Sequence, residues 1–315
     1  MSSVLYDNPG PRARRRIRFW TGVSVAALVV VVCLVVWQIA RKGQISGAMW
    51  SPFADSGLWR QMFGALFATI KAALLAIVAA LVMGAVLASA RLSDRGWLRW
   101  PAFVITEFFR AVPLLLLILF GLFTWGQPLS FIGDAIGADP PDAFAALVVG
   151  LALYNGSVLA EVFRAGINAV PRGQSEAAYA VGMRKMQVLR MILAPQAIRM
   201  MLPAIIAQCV VALKDSALGF IVGYQELLNF GKRIYQGGAE IWGLSQPPVV
   251  TTLVVIGAIY ILINLVLSYV AGWLERRMSR STKLAAAPLT TQQTGEEVAA
   301  AGPLTGEPEN ALPHV

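Results

Sequence analysis

Apolar residues along this chain gather into six long runs, approximately 19–40, 62–90, 103–125, 143–162, 198–222 and 250–274. About 30 Å of hydrocarbon is crossed by a helix of roughly 20 residues, and each run reaches or nearly reaches that length. The fourth is the shortest. None shows the alternation of a membrane strand, and an open strand edge cannot face lipid, so every run is predicted to be a helix.

The runs differ in texture. The second carries a small residue at every fourth position: Gly64, Ala68, Ala72, Ala76, Ala80, Gly84 and Ala88. That spacing puts them on one helical face, where another backbone can come close, and predicts a tightly packed central helix. The first run, from Val25 to Val36, is nearly all Val, Leu, Ala and Cys with no polar face, so it is expected at the periphery, against lipid. Arg12 to Arg18 before an apolar core also suits a secretory leader. The core from Phe19 to Ala40 is too long for one and no clean cleavage site follows, so an uncleaved helix is expected.

Composition agrees with the pattern. Of 315 residues, 57% are hydrophobic and only 14% charged, where a soluble domain carries about 25% charged residues to cover its surface. Disorder and ordinary soluble α/β folds are excluded, and an all-α polytopic membrane protein is predicted. The net charge of +9 is explained by topology without nucleic acid, because cytoplasmic loops accumulate Lys and Arg. Segments 1–18, 91–102, 163–197 and 275–283 hold seventeen Lys or Arg, whereas 41–61, 126–142 and 223–249 hold five. Both termini are therefore expected in the cytoplasm, with six spans in the plasma membrane. Residues 281–315, rich in Ala, Pro, Thr, Glu and Gly, read as a disordered cytoplasmic tail.

Cys33 and Cys209 lie inside apolar runs and read as small buried hydrophobes. The one histidine is His314, so no metal site and no histidine-based catalysis are expected. Gly231-Lys232 lacks the upstream glycine of a phosphate-binding loop, so no ATP site and no other cofactor are expected either.

Charges inside spans are costly and mark places of interest. Glu107 and Arg110 stand three apart near the start of the third run, followed by Pro113, which removes a hydrogen bond and should kink that helix. They read as a broken helix beside a substrate path or as an ion pair anchoring a helix end. Glu161 and Arg164 repeat the spacing where the fourth run ends. Lys214 and Asp215 lie deep in the fifth run; adjacent residues do not share a helical face, so at least one should meet a protein interior or a cavity. Lys71 reads as a lysine snorkelling outward from the second run.

Segment 163–197 is the longest ordered-looking loop. Pro171 and Gly173 punctuate its start, 175–181 suits a short helix, Gly182 a sharp turn, and 183–193 a second amphipathic piece before Pro195. A purely physical reading leaves open an interfacial helix or a surface that receives force from a soluble partner.

Here the sequence resembles a known family. Glu176-Ala177-Ala178, three residues, Gly182, nine residues, Ile192 and then Pro195 is similar to the loop signature of permease subunits of binding-protein-dependent ABC importers, with Ala194 where leucine is usual. EVFRAGINAVPRGQSEAA (161–178), PQAIRMMLPA (195–204) and KDSAL (214–218) resemble the subfamily for polar amino acids, as does FFRAVPLLL (108–116), with Ala111 in place of a glycine. The resemblance covers roughly 62–275; within it the chain looks like the glutamate permease subunits of coryneform and related actinobacteria.

The resemblance implies an ABC importer permease fold, with a five-helix core in 62–275 and an extra N-terminal helix at 19–40 behind a basic segment, 1–18. It implies that the loop around Glu176, Ala177, Ala178 and Gly182 docks in a groove of a cytoplasmic ATPase. A second related permease, as a homo- or heterodimer, would enclose the path, and a solute-binding protein would deliver a polar amino acid from outside. Glu107, Arg110, Lys214 and Asp215 are the candidate path residues. ATP binding to the partner would open the bundle outward and hydrolysis would reset it; this chain catalyses nothing covalent. The alternatives are an ion-coupled secondary transporter, which would favour inverted repeats and a midplane ion site, and a membrane scaffold.

Overall fold

The computed structural model describes residues 10–283, and among them all regular structure is helical. In chain order the helices are α1 (Pro11–Arg41), α2 (Ser56–Arg91), α3 (Gly96–Ala111), α4 (Leu114–Gly121), α5 (Ser130–Ala135), α6 (Pro141–Asn168), α7 (Arg172–Ala180), α8 (Lys185–Gln187), α9 (Ala194–Asp215), α10 (Leu227–Ile241) and α11 (Val249–Lys283). The chain divides into two compact units, Met1–Ala271 and Gly272–Val315. In the second, the Arg277 guanidinium lies 5.3 Å from the centre of the Trp273 ring. Residues 284–315, nearly all of the expected tail, lie outside the described residues.

Five stretches among the described residues are long and apolar enough to cross a membrane: α1, α2, α6, Lys185–Phe220 and Val249–Val270. Gly96–Ala111 and Leu114–Gly126 make a sixth if the bent pair counts as one span. Their axes differ by 99°. Proline disfavours helical torsions in the residue before it, and Val112 is accordingly extended, at φ −76° and ψ 129°. The third run is therefore two helices rather than one, and the kink expected at Pro113 is a full break.

α6 is the centre of the bundle. Its Ala143 to Leu147, Leu151, Leu159 and Ala160 are buried, and α2, α3, α4 and α9 all pack on it. The shortest apolar run thus forms the most buried helix, and the central place expected of the second run belongs to the fourth. α2 lies against it along the small-residue face: Ala72, Ala76, Ala80, Gly84 and Ala88 are buried, while Phe67, Leu74, Val78 and Val82 point away. The stripe fades at its start, with Ala68 half-buried and Gly64 exposed. Where the two helices cross, a Cβ on Gly84 would stand 2.9 Å from Leu159 Cβ and 3.0 Å from the Gly156 carbonyl oxygen. Lipid is as apolar as leucine, so this close backbone approach, not exclusion from water, holds the pair. Polar side chains add to it. Gln208 Nε2 on α9 donates to Asn155 Oδ1 on α6 at 2.6 Å, and Asn155 Nδ2 donates to the Leu151 carbonyl at 2.9 Å.

α1 has no buried residue at all. Cys33 is consequently exposed on its surface and Cys209 half-buried, so only the second approaches the buried state expected of both. The expected snorkelling of Lys71 is also corrected. Its Nζ donates to the carbonyls of Ile136 and Gly137 at 3.0 and 3.3 Å, because the end of α5 presents acceptors within reach.

Candidate functional site

α7 and the turn after it form a knuckle at the end of the bundle that also holds Arg91 and Asp94. The helix closes in a Schellman arrangement: Gly182 N–H donates to the Tyr179 carbonyl at 2.9 Å and Met183 N–H to the Ala178 carbonyl at 3.1 Å. This needs a residue in the left-handed region, and Gly182 has φ +82°. Glu176, Ala177 and Gly182 are exposed, as are the apolar Tyr179, Val181 and Met186. Ala178 is buried, so of the four residues singled out it anchors the knuckle rather than presenting a surface.

The second amphipathic piece predicted after Gly182 is not a separate surface helix. Lys185–Phe220 runs as one continuous rod, with π-helical turns at Val188–Leu193 just before Pro195. The wider turn accommodates a proline that cannot complete the regular hydrogen-bond ladder. The Lys185 ammonium pairs with Asp94 in the α2–α3 turn. The α7 knuckle is thus separated from a membrane-spanning stretch only by the turn at 181–184.

Glu107 and Arg110 belong to a five-membered ion cluster on three helices. Arg91 Nη1, at the end of α2, lies 2.8 Å from Glu161 Oε2 and 3.7 Å from Glu107 Oε1, and Arg110 Nη1 lies 3.5 Å from the same Glu107 oxygen. Arg164 Nε donates to Glu161 Oε2 at 3.1 Å, and its Nη2 bonds Oε1. The Arg91 contacts are ionic rather than directional, since its Nη1 has no partner in hydrogen-bond geometry. Arg91 was legible only as one more positive charge at a span end; its central position comes from the meeting of α2, α3 and α6.

Lys214 is exposed and lines a cleft of about 610 Å³ with Ala217, Leu228, Tyr260, Asn264 and Ser268. Asp215 is half-buried at the last position of α9. Of the four candidate path residues, Glu107 and Arg110 therefore stand in the ion cluster and Lys214 lines the open cleft, while Asp215 lines neither.

One buried carboxyl was not legible in the sequence. Glu226 lies in the connection between Phe220 and Val249 and is fully buried. It caps α10, accepting from Leu228 N–H at 2.8 Å and Asn229 N–H at 2.7 Å, and it accepts from the Tyr260 hydroxyl of α11 at 2.6 Å. The next N–H, that of Leu227, donates to Thr69 Oγ1 of α2 at 3.0 Å. Burial raises the Glu226 pKa to about 7 in spite of the three hydrogen bonds that lower it. The Tyr224 phenol is pushed up as well, by burial first and then by the nearby Glu226 charge. An acid standing just before an amphipathic helix was the available signal for a cap; its partner 34 residues away was not predictable.

Comparison with known proteins adds the following. Residues 77–280 match the family described as "Binding-protein-dependent transport system inner membrane component". The chain is 39% identical over 242 residues to the "Glutamate transport system permease protein GluD" of Corynebacterium glutamicum, covering 76% of this chain and 84% of that one. It is 31% identical to the "Arginine transport system permease protein ArtQ" of Bacillus subtilis, covering 67% of this chain and 89% of the other. Among solved structures, "Crystal structure of an amino acid ABC transporter with histidines" superposes with a TM-score of 0.56 at 29% identity, over 69% of this chain and 94% of that one.

Proposed function

The chain belongs to the family of binding-protein-dependent transport system inner membrane components, and from that premise we propose how its geometry serves the import of glutamate or a related polar amino acid. It is the transmembrane permease subunit of an ABC-type amino-acid importer, coupled to a separate ATPase, and it is not itself an enzyme. A solute-binding protein presents the substrate. The choice of glutamate is supported by the relative at 39% identity, whose name states that substrate.

In this reading both termini and the α7 knuckle are cytoplasmic, in keeping with the bias of Lys and Arg towards that side. Glu176, Ala177 and the Gly182 turn, with Tyr179 and Val181, meet the ATPase, and buried Ala178 ties the contact to the bundle. A second permease, either another copy or a relative, covers the faces of α9 and α11 and turns the Lys214 cleft into part of an enclosed path. Glu107 and Arg110 act within the ion cluster, holding α2, α3 and α6 in register while the rest moves. The basic segment and α1 form an addition outside the five-helix core.

The observation that carries the coupling role is the mechanical continuity of an exposed knuckle with the Lys185–Phe220 rod. A closing ATPase that draws on α7 draws on a span. Gly182→Val tests it. A Cβ at this position meets nothing within 4 Å, so the substitution acts by forcing a β-branched residue to φ +82°, at a cost of about 1–2 kcal/mol. Uptake of labelled amino acid should fall at least about tenfold with the protein still present in the membrane. Wild-type uptake by the variant would remove α7 from the coupling route.

A further inference from the structure

Far from the ion cluster, α2, the 137–139 turn and the 224–233 segment enclose a cleft of about 310 Å³. Its polar lining consists of two cations, Lys71 and Arg233, one carboxylate, Asp139, two amides, Gln61 and Gln225, and the Tyr224 phenol, which donates to the Ala68 carbonyl at 3.1 Å. Small Gly64, Ala65 and Ala68 of α2 form one wall and leave the space open.

Lys71, Asp139 and Gln225 are held in place. Lys71 donates to the Ile136 and Gly137 carbonyls, which fixes its ammonium at the rim and leaves it one further N–H. Gln225 Nε2 donates to Asp139 Oδ2 at 2.7 Å and its backbone N–H to the Asp139 carbonyl at 3.2 Å, so acid and amide are oriented together. Arg233 on α10 is exposed, and no carboxylate among the described residues is within ion-pair distance of it.

We propose that this cleft is a binding site for an acidic amino acid, with Arg233 and Lys71 facing its two carboxylates and Asp139 its ammonium. The proposal rests on the transport reading above and adds a second stopping place, distinct from the Lys214 cleft. The argument is charge complementarity. Two cations and one anion match a ligand with two carboxylates and one ammonium. A neutral amino acid leaves one cation unmatched, and a basic one brings two positive groups against two. Arginine also suits the site by geometry, since its planar fork takes a carboxylate in a bidentate manner. The expected order of preference is acidic, then neutral, then basic.

The test uses the whole complex, this chain with its ATPase and second permease in lipid nanodiscs, without the solute-binding protein. Labelled glutamate is titrated with glutamine and arginine as competitors. Wild type should bind glutamate ahead of glutamine. Arg233→Gln should weaken glutamate about tenfold, the scale of one charge-assisted hydrogen bond, and abolish its advantage over glutamine, while Arg233→Lys restores part of it. Gly64→Leu, at a position where a Cβ meets nothing within 4 Å, should obstruct the cleft and weaken acidic and neutral amino acids alike.

No binding by wild type, or equal binding by Arg233→Gln and wild type, overturns the proposal. The second of these results takes a particular form if unchanged glutamate binding by Arg233→Gln comes together with weaker stimulation of ATP hydrolysis by the solute-binding protein. In that case the carboxylate belongs to the docking protein. Uptake in proteoliposomes, with the binding protein restored, separates the two levels. If wild type imports acidic amino acids but binds none at this cleft, only the cleft proposal fails. If it imports none, the transport reading fails with it.

Discussion

α1 and α6 are opposites. α1 is the more apolar, yet none of its most apolar stretch is buried, whereas 72% of the corresponding stretch of α6 is buried. In a soluble protein that order would be reversed, since burial follows hydrophobicity. In a bilayer, apolar bulk gives no reason to prefer protein over lipid. What draws a helix inward is the ability to come close and to satisfy polar groups. α6 has Gly156 at its crossing with α2 and Asn155 bonded across to α9. α1 has a continuous surface of Val and Leu that lipid solvates equally well.

The sharpest way to break this comparison is a matched pair of glycine substitutions. Gly84→Leu places a branched side chain where Leu159 and the Gly156 backbone already stand. It should cost about 3 kcal/mol and show as a lower melting temperature in detergent and a loss of monodisperse protein. Gly22→Leu on α1 meets nothing within 4 Å and should leave both measurements unchanged. Equal damage from the two would mean that α1 is packed.

A comparable effect is expected at Glu226, which buries a carboxyl in a connection rather than in a span. Its folded pKa of about 7 stands above the ordinary 4.5, a difference worth about 3 kcal/mol. Protonation favours the folded form, so this contribution is full below pH 4.5 and is lost as the pH rises to about 7. The melting temperature should accordingly be higher at pH 5 than at pH 8. Glu226→Gln should flatten that dependence. A profile as steep as wild type in the variant would assign the slope to other groups.

Smaller still is the bond from Gln208 to Asn155. Substituting each by Leu, singly and together, should give a coupling of about 0.6–1 kcal/mol, the range for hydrogen bonds between membrane helices. A coupling near zero would leave close packing as the sole reason for α6 to be central. The least effect belongs to Leu28→Ala on α1, within about 0.5 kcal/mol; a thermal melt showing more would require a neighbour for that helix.

Much of the bundle was legible before its structure. The small-residue face of the second run is the face that α2 turns to α6, because a four-residue spacing maps onto one side of any helix. The break at Pro113 follows from local sterics, and so does the glycine at the end of α7. The rank of the helices was not legible. The fourth run was the shortest, and length measures only the capacity to span. The extension of α9 back to Lys185 also escaped, since a proline usually marks a boundary and here a π-helical stretch carries the chain past it.

At the candidate sites the division is similar. Glu107 with Arg110 and Glu161 with Arg164 are visible as neighbours along one helix, but Arg91 joins them only when three helices converge. Lys71 has the composition of a snorkelling lysine, and its actual partners lie 65 and 66 residues away. By itself the sequence determined the helical apolar runs, the break in the third, the exposed turn at Gly182 and the family to which the chain belongs, all of which depend on local torsions, periodicity or contiguous motifs. Only the tertiary structure decided which helix is central, which charges neutralise one another and where Glu226 is buried. Those depend on contacts between residues far apart in the chain, and in a bilayer no gradient of hydrophobicity along the sequence foretells them.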